Sequence, residues 1–328
     1  MKTFIPPLLA LLGVCVPAGA ITVTTPANGA QVNSPFMLVA STNTCGGVIA
    51  VSMGYSIDHE RAVIQSTSFS VMVTAPAGKH VLHVKCWGKK VHDQVKLDIQ
   101  ILSGPAIPAN ALSVNKIQTL PGWRMKYDPA TPGTASGVMS MVTSPSLSGE
   151  TARFDTSFTN WGGVLFSVTY GSDPNPTNFV YDAQIWIEAG SQLGNLEMDN
   201  NQVTANGHTI IYAFQCAGDS NTWDYSENAG TPTAPIVHWV HSDQFCNPLD
   251  WTPNEWHHVQ VSYSRDDAGN VTYHSVWLDG VEAPINQTVN SDFDLRWAPV
   301  LIANFQMDGL GANGSSTLYL DNLTLYCW

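Results

Sequence analysis

Positive charge is scarce in this chain: 13 Lys and Arg stand against 26 Asp and Glu, a formal net charge of −13. Nucleic acid and anionic membranes are held by clustered Lys and Arg, so the composition argues against both as partners. Charged residues of both signs make up only 12% of the sequence, and Thr, Ser, Asn and Gly take over the solvating role. Cys-x-x-Cys is absent, which leaves a zinc ribbon or a dithiol redox centre without its ligands. Gly-x-Ser-x-Gly is absent too, and with it the serine nucleophile elbow; no phosphate-cradling glycine loop occurs. No stretch repeats its apolar residues every 3.6 positions, so long amphipathic helices are not expected. Beyond residue 20, no segment is apolar for long enough to cross a bilayer as a helix.

What is present starts with "MKTFIPPLLALLGVCVPAGA", residues 1–20. One lysine, a short apolar run and Ala18-Gly19-Ala20 predict a secretory signal peptide cleaved after Ala20, hence a secreted, extracellular protein. The remaining length is enough for two domains. Five cysteines follow: Cys45, Cys86, Cys216, Cys246 and Cys327. In an oxidising compartment pairing is the default, and closeness along the chain predicts Cys45–Cys86 and Cys216–Cys246, with Cys327 left over.

Residues 21–103 carry short β-rich runs between turn signals: "ITVTTPANG", "FMLVAST", "VSMGYSID", "SFSVMVT" and "KHVLHVKCWG". Their length and spacing predict a small β-sandwich. "ITVTTPANGAQVNSPFMLVAST" resembles the opening of bacterial immunoglobulin-like domains, and "VSMGYSIDHERAV" and "APAGKHVLHVKCW" resemble their hairpin and strand pair. "DHE" departs from that pattern by lacking the usual turn glycine. The resemblance implies an immunoglobulin-like domain in which Cys45–Cys86 would join two sheets. "SGPAIPANALS" is unpatterned and predicts a linker over 104–113. From 114 to 328 the chain is again strand-like, with Asn206-Gly207 as a strong hairpin signal. The predicted fold class is all-β: a small sandwich and a larger two-sheet jelly roll.

"NEWHHVQVSYSRDDAGNVTYHSVWLDGVE" (254–282) resembles the signature of laminin-G-like and pentraxin-like domains. Trp256, His257, His258, Val259, Val261 and Tyr263 match its first half; Val276, Leu278, Asp279 and Gly280 match its second. "STLYLDNLTLY" resembles the last strand of concanavalin A-like lectins and glucanases. The resemblance implies a sandwich over 114–328 with a concave face open to a long polymer; Trp256, Val259 and Val261 are expected in its core and Asp279-Gly280 in a tight turn. That superfamily hosts lectins, glycoside hydrolases, polysaccharide lyases and adhesion modules, and fold does not choose among them.

"NLEMDNNQV" (195–203) places Glu197 and Asp199 on one face of a strand, about 7 Å apart. Retaining glucanases of the superfamily carry Glu-x-Asp-x-(x)-Glu on such a strand. Here Gln202 occupies the place of the last Glu, and a bulge would have to return it to the working face. Glutamine supplies no proton, so the standard acid/base is missing. Asp182, Gln184, Trp186 and Glu188 alternate along the preceding run, and Asn304, Gln306 and Asp308 along a later one. Amide and carboxyl groups beside an aromatic plate suit sugar hydroxyls and ring faces, so these residues are expected in one groove. Glu188 and Asp308 are the candidates for a displaced acid. The segment between Cys216 and Cys246 is expected to be a long loop whose Trp223, Tyr225 and Trp239 line the groove mouth. His238, His241, His257 and His258 show no converging zinc pattern. The acidic turn Asp266-Asp267 leaves structural calcium as the one cofactor to consider. Three readings follow: a secreted polysaccharide-binding protein, a divergent endo-glycanase using Glu197 and Asp199, or a structural, adhesive module.

Overall fold

The computed structural model describes residues 21–328 apart from Asn33, Pro35 and Ala130, so the signal-peptide segment lies outside the described residues. The chain divides into two compact units that meet at Ser103 and Gly104. Both are β-structures, as expected; the helical content described is two single turns, Ile117–Thr119 and Pro248–Asp250. Among the described residues, no helix is long and apolar enough to cross a membrane.

In the first unit, a sheet of Thr22–Thr25, Phe36–Ser41 and Ser68–Val73 shares one core with a six-stranded sheet. Alternation does the sorting: in "KHVLHVKCWG", Leu82, Val84 and Cys86 are fully buried on one face. Cys45 and Cys86 are bonded, with Cα atoms 5.8 Å apart. Both belong to the six-stranded sheet, on strands flanking Val48–Ile57, so the bridge ties one sheet internally instead of joining two.

The second unit packs an eight-stranded sheet against a nine-stranded one. The first runs Thr134–Val142, Thr151–Thr159, Gly314–Cys327, Asn178–Ile187, Trp256–Arg265, Asn270–Leu278, Val281–Asn290. Leu112–Val114 pairs with Leu325–Cys327 at its side, so the end of the expected linker is already strand. The second sheet runs Arg124–Asp128, Gly163–Gly171, Leu301–Gly309, Leu193–Val203, Phe214–Ala217, Thr222–Asn228, Val237–Phe245. Between them lies an aromatic core, with Phe154 within 5.1 Å of both Phe166 and Phe305, and Tyr212 stacked on Tyr263 at 4.9 Å. Two turns form as their sequences predict: Gly207 (φ 86°), and Asp279-Gly280 (φ 51° and 77°), the left-handed pair that a two-residue hairpin needs.

The segment between Cys216 and Cys246 corrects the loop expectation. Its residues form the strands Thr222–Asn228 and Val237–Phe245, and the Cys216–Cys246 bridge closes them at their base. "TWDYSEN" alternates, which is strand patterning that the abundance of polar residues concealed. Trp256 is a second correction: Val259 and Val261 enter the core, but Trp256 pairs with Trp186 on the outside of the eight-stranded sheet.

Candidate functional site

Leu193–Val203 lies at the centre of the nine-stranded sheet, between Leu301–Gly309 and Phe214–Ala217. Leu196 and Met198 face the core with Phe305 and Met307, so Glu197 and Asp199 face outward together with Asn304, Gln306 and Asp308. Register sets Glu197 opposite Gln306 and Asp199 opposite Asn304. Gly163 stands opposite Asp308, where a Cβ would lie 2.3 Å from Asp308 Oδ1. Only a glycine leaves that carboxyl its place.

Gln306 is the hub. Its Nε2 donates to Glu197 Oε1 at 2.7 Å, to Asp308 Oδ1 at 3.2 Å and to Asp128 Oδ2 at 3.2 Å. The Glu197 and Asp308 oxygens therefore lie no further apart than 2.7 and 3.2 Å laid end to end. That is compatible with the separation of about 5–5.5 Å at which two carboxyls act from one side of a glycosidic bond. Burial and the neighbouring Asp199, Asp308 and Asp128 push the Glu197 carboxyl well above the usual range. Burial pushes Asp199 up to about 7, opposed by the Phe214 N–H and by Asn304; it does the same to Asp308, helped by Asp128. At neutral pH this cluster holds protons that free carboxyls have released.

The same row continues across the sheet. Gln215 stands opposite Glu197, Asp224 opposite Gln215, and His241 opposite Asp224. Asp224 accepts from Ser220 Oγ and Thr222 Oγ1 and meets His241 Nδ1 at 2.9 Å. Gln215 is 3% exposed, and its Oε1 has no hydrogen-bond partner. Along the edge strand, Val240 packs toward the core, which puts Val237, Trp239 and His241 on the outer side; Phe245, opposite the outward-facing Thr222, is 67% exposed. Asp128, Gln215, Asp224 and Phe245 were not singled out by sequence reasoning; the alternation in "FQCA" and "TWDYSEN" was the available signal.

Several expected members lie elsewhere. Asp182, Gln184, Trp186 and Glu188 belong to the other sheet or its margin, on the opposite side of the unit. Asp182 is engaged there by His258 Nε2 (2.7 Å) and Gln260 Nε2 (2.8 Å), and Glu188 accepts from Tyr319 OH. Glu188 is thereby removed as the displaced acid beside Glu197. Trp223 is 2% exposed and stacks on Phe214 at 5.4 Å inside the core, with Tyr225 on the same face, so neither lines a groove mouth.

Gln202 is the most instructive case. No bulge interrupts the pairing from Asn195 to Gln202, so the odd spacing turns Gln202 inward. Its Oε1 accepts from Tyr212 OH and from Arg265 Nε, and its Nε2 donates to the Pro176 carbonyl, bridging toward the other sheet. It is a cross-sheet tie and stands on the wrong face to be an altered catalytic acid. Gln202→Glu is therefore expected to create no glycan cleavage and to destabilise the unit by about 1–3 kcal/mol, through loss of the donor to Pro176. Urea unfolding and a reducing-end assay check both halves.

Asp266 caps its own turn through Ala268 N and Asn270 N, and the Asp267 side chain is fully exposed. Among the described residues, no three His, Cys, Asp or Glu side chains converge as a metal site.

No protein-family model matches the chain, and no curated protein matches it. Solved structures give distant likenesses. Carbohydrate-binding modules of the β-sandwich superfamily align over 93% of this chain and 96% of theirs, at 9% identity and TM-score 0.36. The cellulose-induced protein Cip1 aligns over 62% and 90%, at 13% identity and TM-score 0.36. A Bacillus licheniformis β-glucanase aligns over 66% and 97%, at 12% identity and TM-score 0.34. These likenesses are too distant to assign a ligand or an activity.

Proposed function

We propose that this is an exported carbohydrate-binding protein whose 104–328 unit, of concanavalin A-like type, holds a neutral polysaccharide on the outer face of its nine-stranded sheet. The observation that supports this most is the row Gln306, Glu197, Gln215, Asp224, in which amides and carboxyls alternate across four paired strands. Sugar hydroxyls both donate and accept, and a row of amides and carboxyls meets them in either sense. Trp239 and Phe245 on the edge strand offer apolar plates for ring faces. Glu197, Asp199 and Asp308 keep part of their protons near neutrality, so the centre of this face carries little charge of its own and suits the hydroxyls of a neutral glycan. The two disulfides suit an oxidising compartment, and the 21–103 unit serves as an immunoglobulin-like partner domain.

A second reading, an endo-glycanase, is favoured by the short Glu197–Asp308 separation and by a Glu197 carboxyl that stays protonated near neutrality, as a general acid requires. One experiment addresses both. The purified protein is passed over insoluble neutral and uronate-bearing polysaccharides and incubated with their soluble forms. Retention on neutral glycans without new reducing ends is the expected result, and retention weakens in Gln215→Ala. Reducing ends that disappear in Glu197→Gln would move the assignment to the hydrolase. Absence of retention on every glycan would leave the structural, adhesive role.

A further inference from the structure

The side chains that sequence reasoning placed beside Glu197, but that lie on the opposite sheet, have surroundings of their own. On the outer face of the eight-stranded sheet, register sets Arg153, Tyr319, Trp186 and Trp256 side by side across four adjacent strands. Trp186 and Trp256 are partly exposed and meet edge to face, with centroids 5.6 Å apart at 64°. Arg153 lies over the Tyr319 ring, 5.8 Å from its centroid, and forks onto Asp155 at 2.8–3.1 Å. Tyr319 OH donates to Glu188 Oε2 at 2.9 Å, and Thr317 Oγ1 to Asp155 Oδ1 at 2.8 Å. A shallow cavity of about 420 Å³ adjoins this stripe, floored by Ser136, Asp155, Ser157, Ser315 and Thr317.

We propose that this outer face is a second glycan site, which takes a segment of neutral polysaccharide. The two indoles form an angled apolar platform of the kind that packs on sugar rings. Beyond it, Glu188 and Asp155 present carboxylate oxygens already held in place by Tyr319, Thr317 and Arg153. The hydroxyl-lined cavity receives the next sugar. Charge selects against an acidic chain, because the one guanidinium in the stripe is matched by Asp155 and Glu188 adds a further negative group. With sites on both faces of one unit, a long polymer is engaged twice or two chains are bridged, which raises avidity by about 10²–10⁴-fold over one site.

The test uses the full chain, with mixed-linkage β-glucan, xylan, glucomannan and polygalacturonate as probes in affinity electrophoresis and calorimetry. Trp186→Ala combined with Trp256→Ala is expected to weaken retention by a neutral glycan about tenfold or more and to remove one class of sites in calorimetry. Glu188→Gln, which keeps shape and the Tyr319 contact, gives a smaller loss in the same direction and guards against misfolding of the tryptophan variant. Gln215→Ala on the opposite face leaves this class of sites intact. Wild-type retention in both the tryptophan and the Glu188 variants overturns the proposal while leaving the Glu197 face untouched. Loss confined to Gln215→Ala does the same. Retention by polygalacturonate alone, or by none of the probes, also overturns it.

Discussion

Raising the pH from about 4.5 to 7.5 is expected to weaken the 104–328 unit markedly. Asp199 and Asp308 are lifted to about 7 by burial, and Glu197 is lifted as well, whereas the unfolded carboxyls titrate near 4. The folded state thus holds protons that the unfolded state has released. Stability from these groups is complete below the unfolded value and is lost as pH climbs through the folded one. One carboxyl raised from about 4 to about 7 corresponds to roughly 4 kcal/mol. The three share one field, so the cluster as a whole is expected to cost a few kcal/mol across the window. Ten of the eleven tryptophans follow residue 103, so tryptophan fluorescence in urea reports this unit. His257, whose pKa is raised by Asp279, loses its contribution in the same direction above its folded value. The difference between wild type and Asp308→Asn isolates the cluster: the variant is expected to show a flatter pH profile and to be the more stable of the two at pH 7.5. A wild-type urea midpoint that rises from pH 4.5 to 7.5, or an unchanged profile in Asp308→Asn, would contradict the buried-acid geometry.

The second large effect is structural. Asp321 is wholly buried and accepts from six donors: Gln118 Nε2, Ser146 Oγ, Leu147 N, both N and Oγ of Ser148, and Asn322 N. It ties the single helical turn at Ile117–Thr119 and the segment 146–148 to the long C-terminal strand. Asp321→Ala leaves several buried donors without an acceptor, each worth about 1–3 kcal/mol, and is expected to cost about 3–5 kcal/mol in all. For a unit of this size that lowers the melting temperature by roughly 10 °C. Asp321→Asn keeps one acceptor oxygen and is expected to cost less than half as much. A loss below about 1 kcal/mol in the alanine variant would contradict the network.

The fold class was legible because alternation and turn chemistry are local. "HVLHVKCWG" sorts into a buried and a wet face by parity alone, and Asp279-Gly280 takes the positive φ values that its hairpin needs. The disulfides were legible for the same reason, since each pair closes a short stretch of chain. The candidate site was half legible. Glu197, Asp199, Asn304, Gln306 and Asp308 do converge, but Asp128, Gln215 and Asp224 join them only through strand pairing across the sheet. Gln202 was misread because a five-residue spacing crosses to the other face unless a bulge intervenes, and none does.

By itself the sequence determined period-two strands, their turns, their polar and apolar faces and the two cysteine pairs. It could not decide which of two sheets each strand joins. A sandwich has two outer faces, and a polar residue at the right parity satisfies either, so Trp186 and Glu188 read as neighbours of Glu197 although a core separates them. Pairing between distant strands, set by packing of the whole interior, is what placed three acids around Gln306 and two indoles on the opposite side.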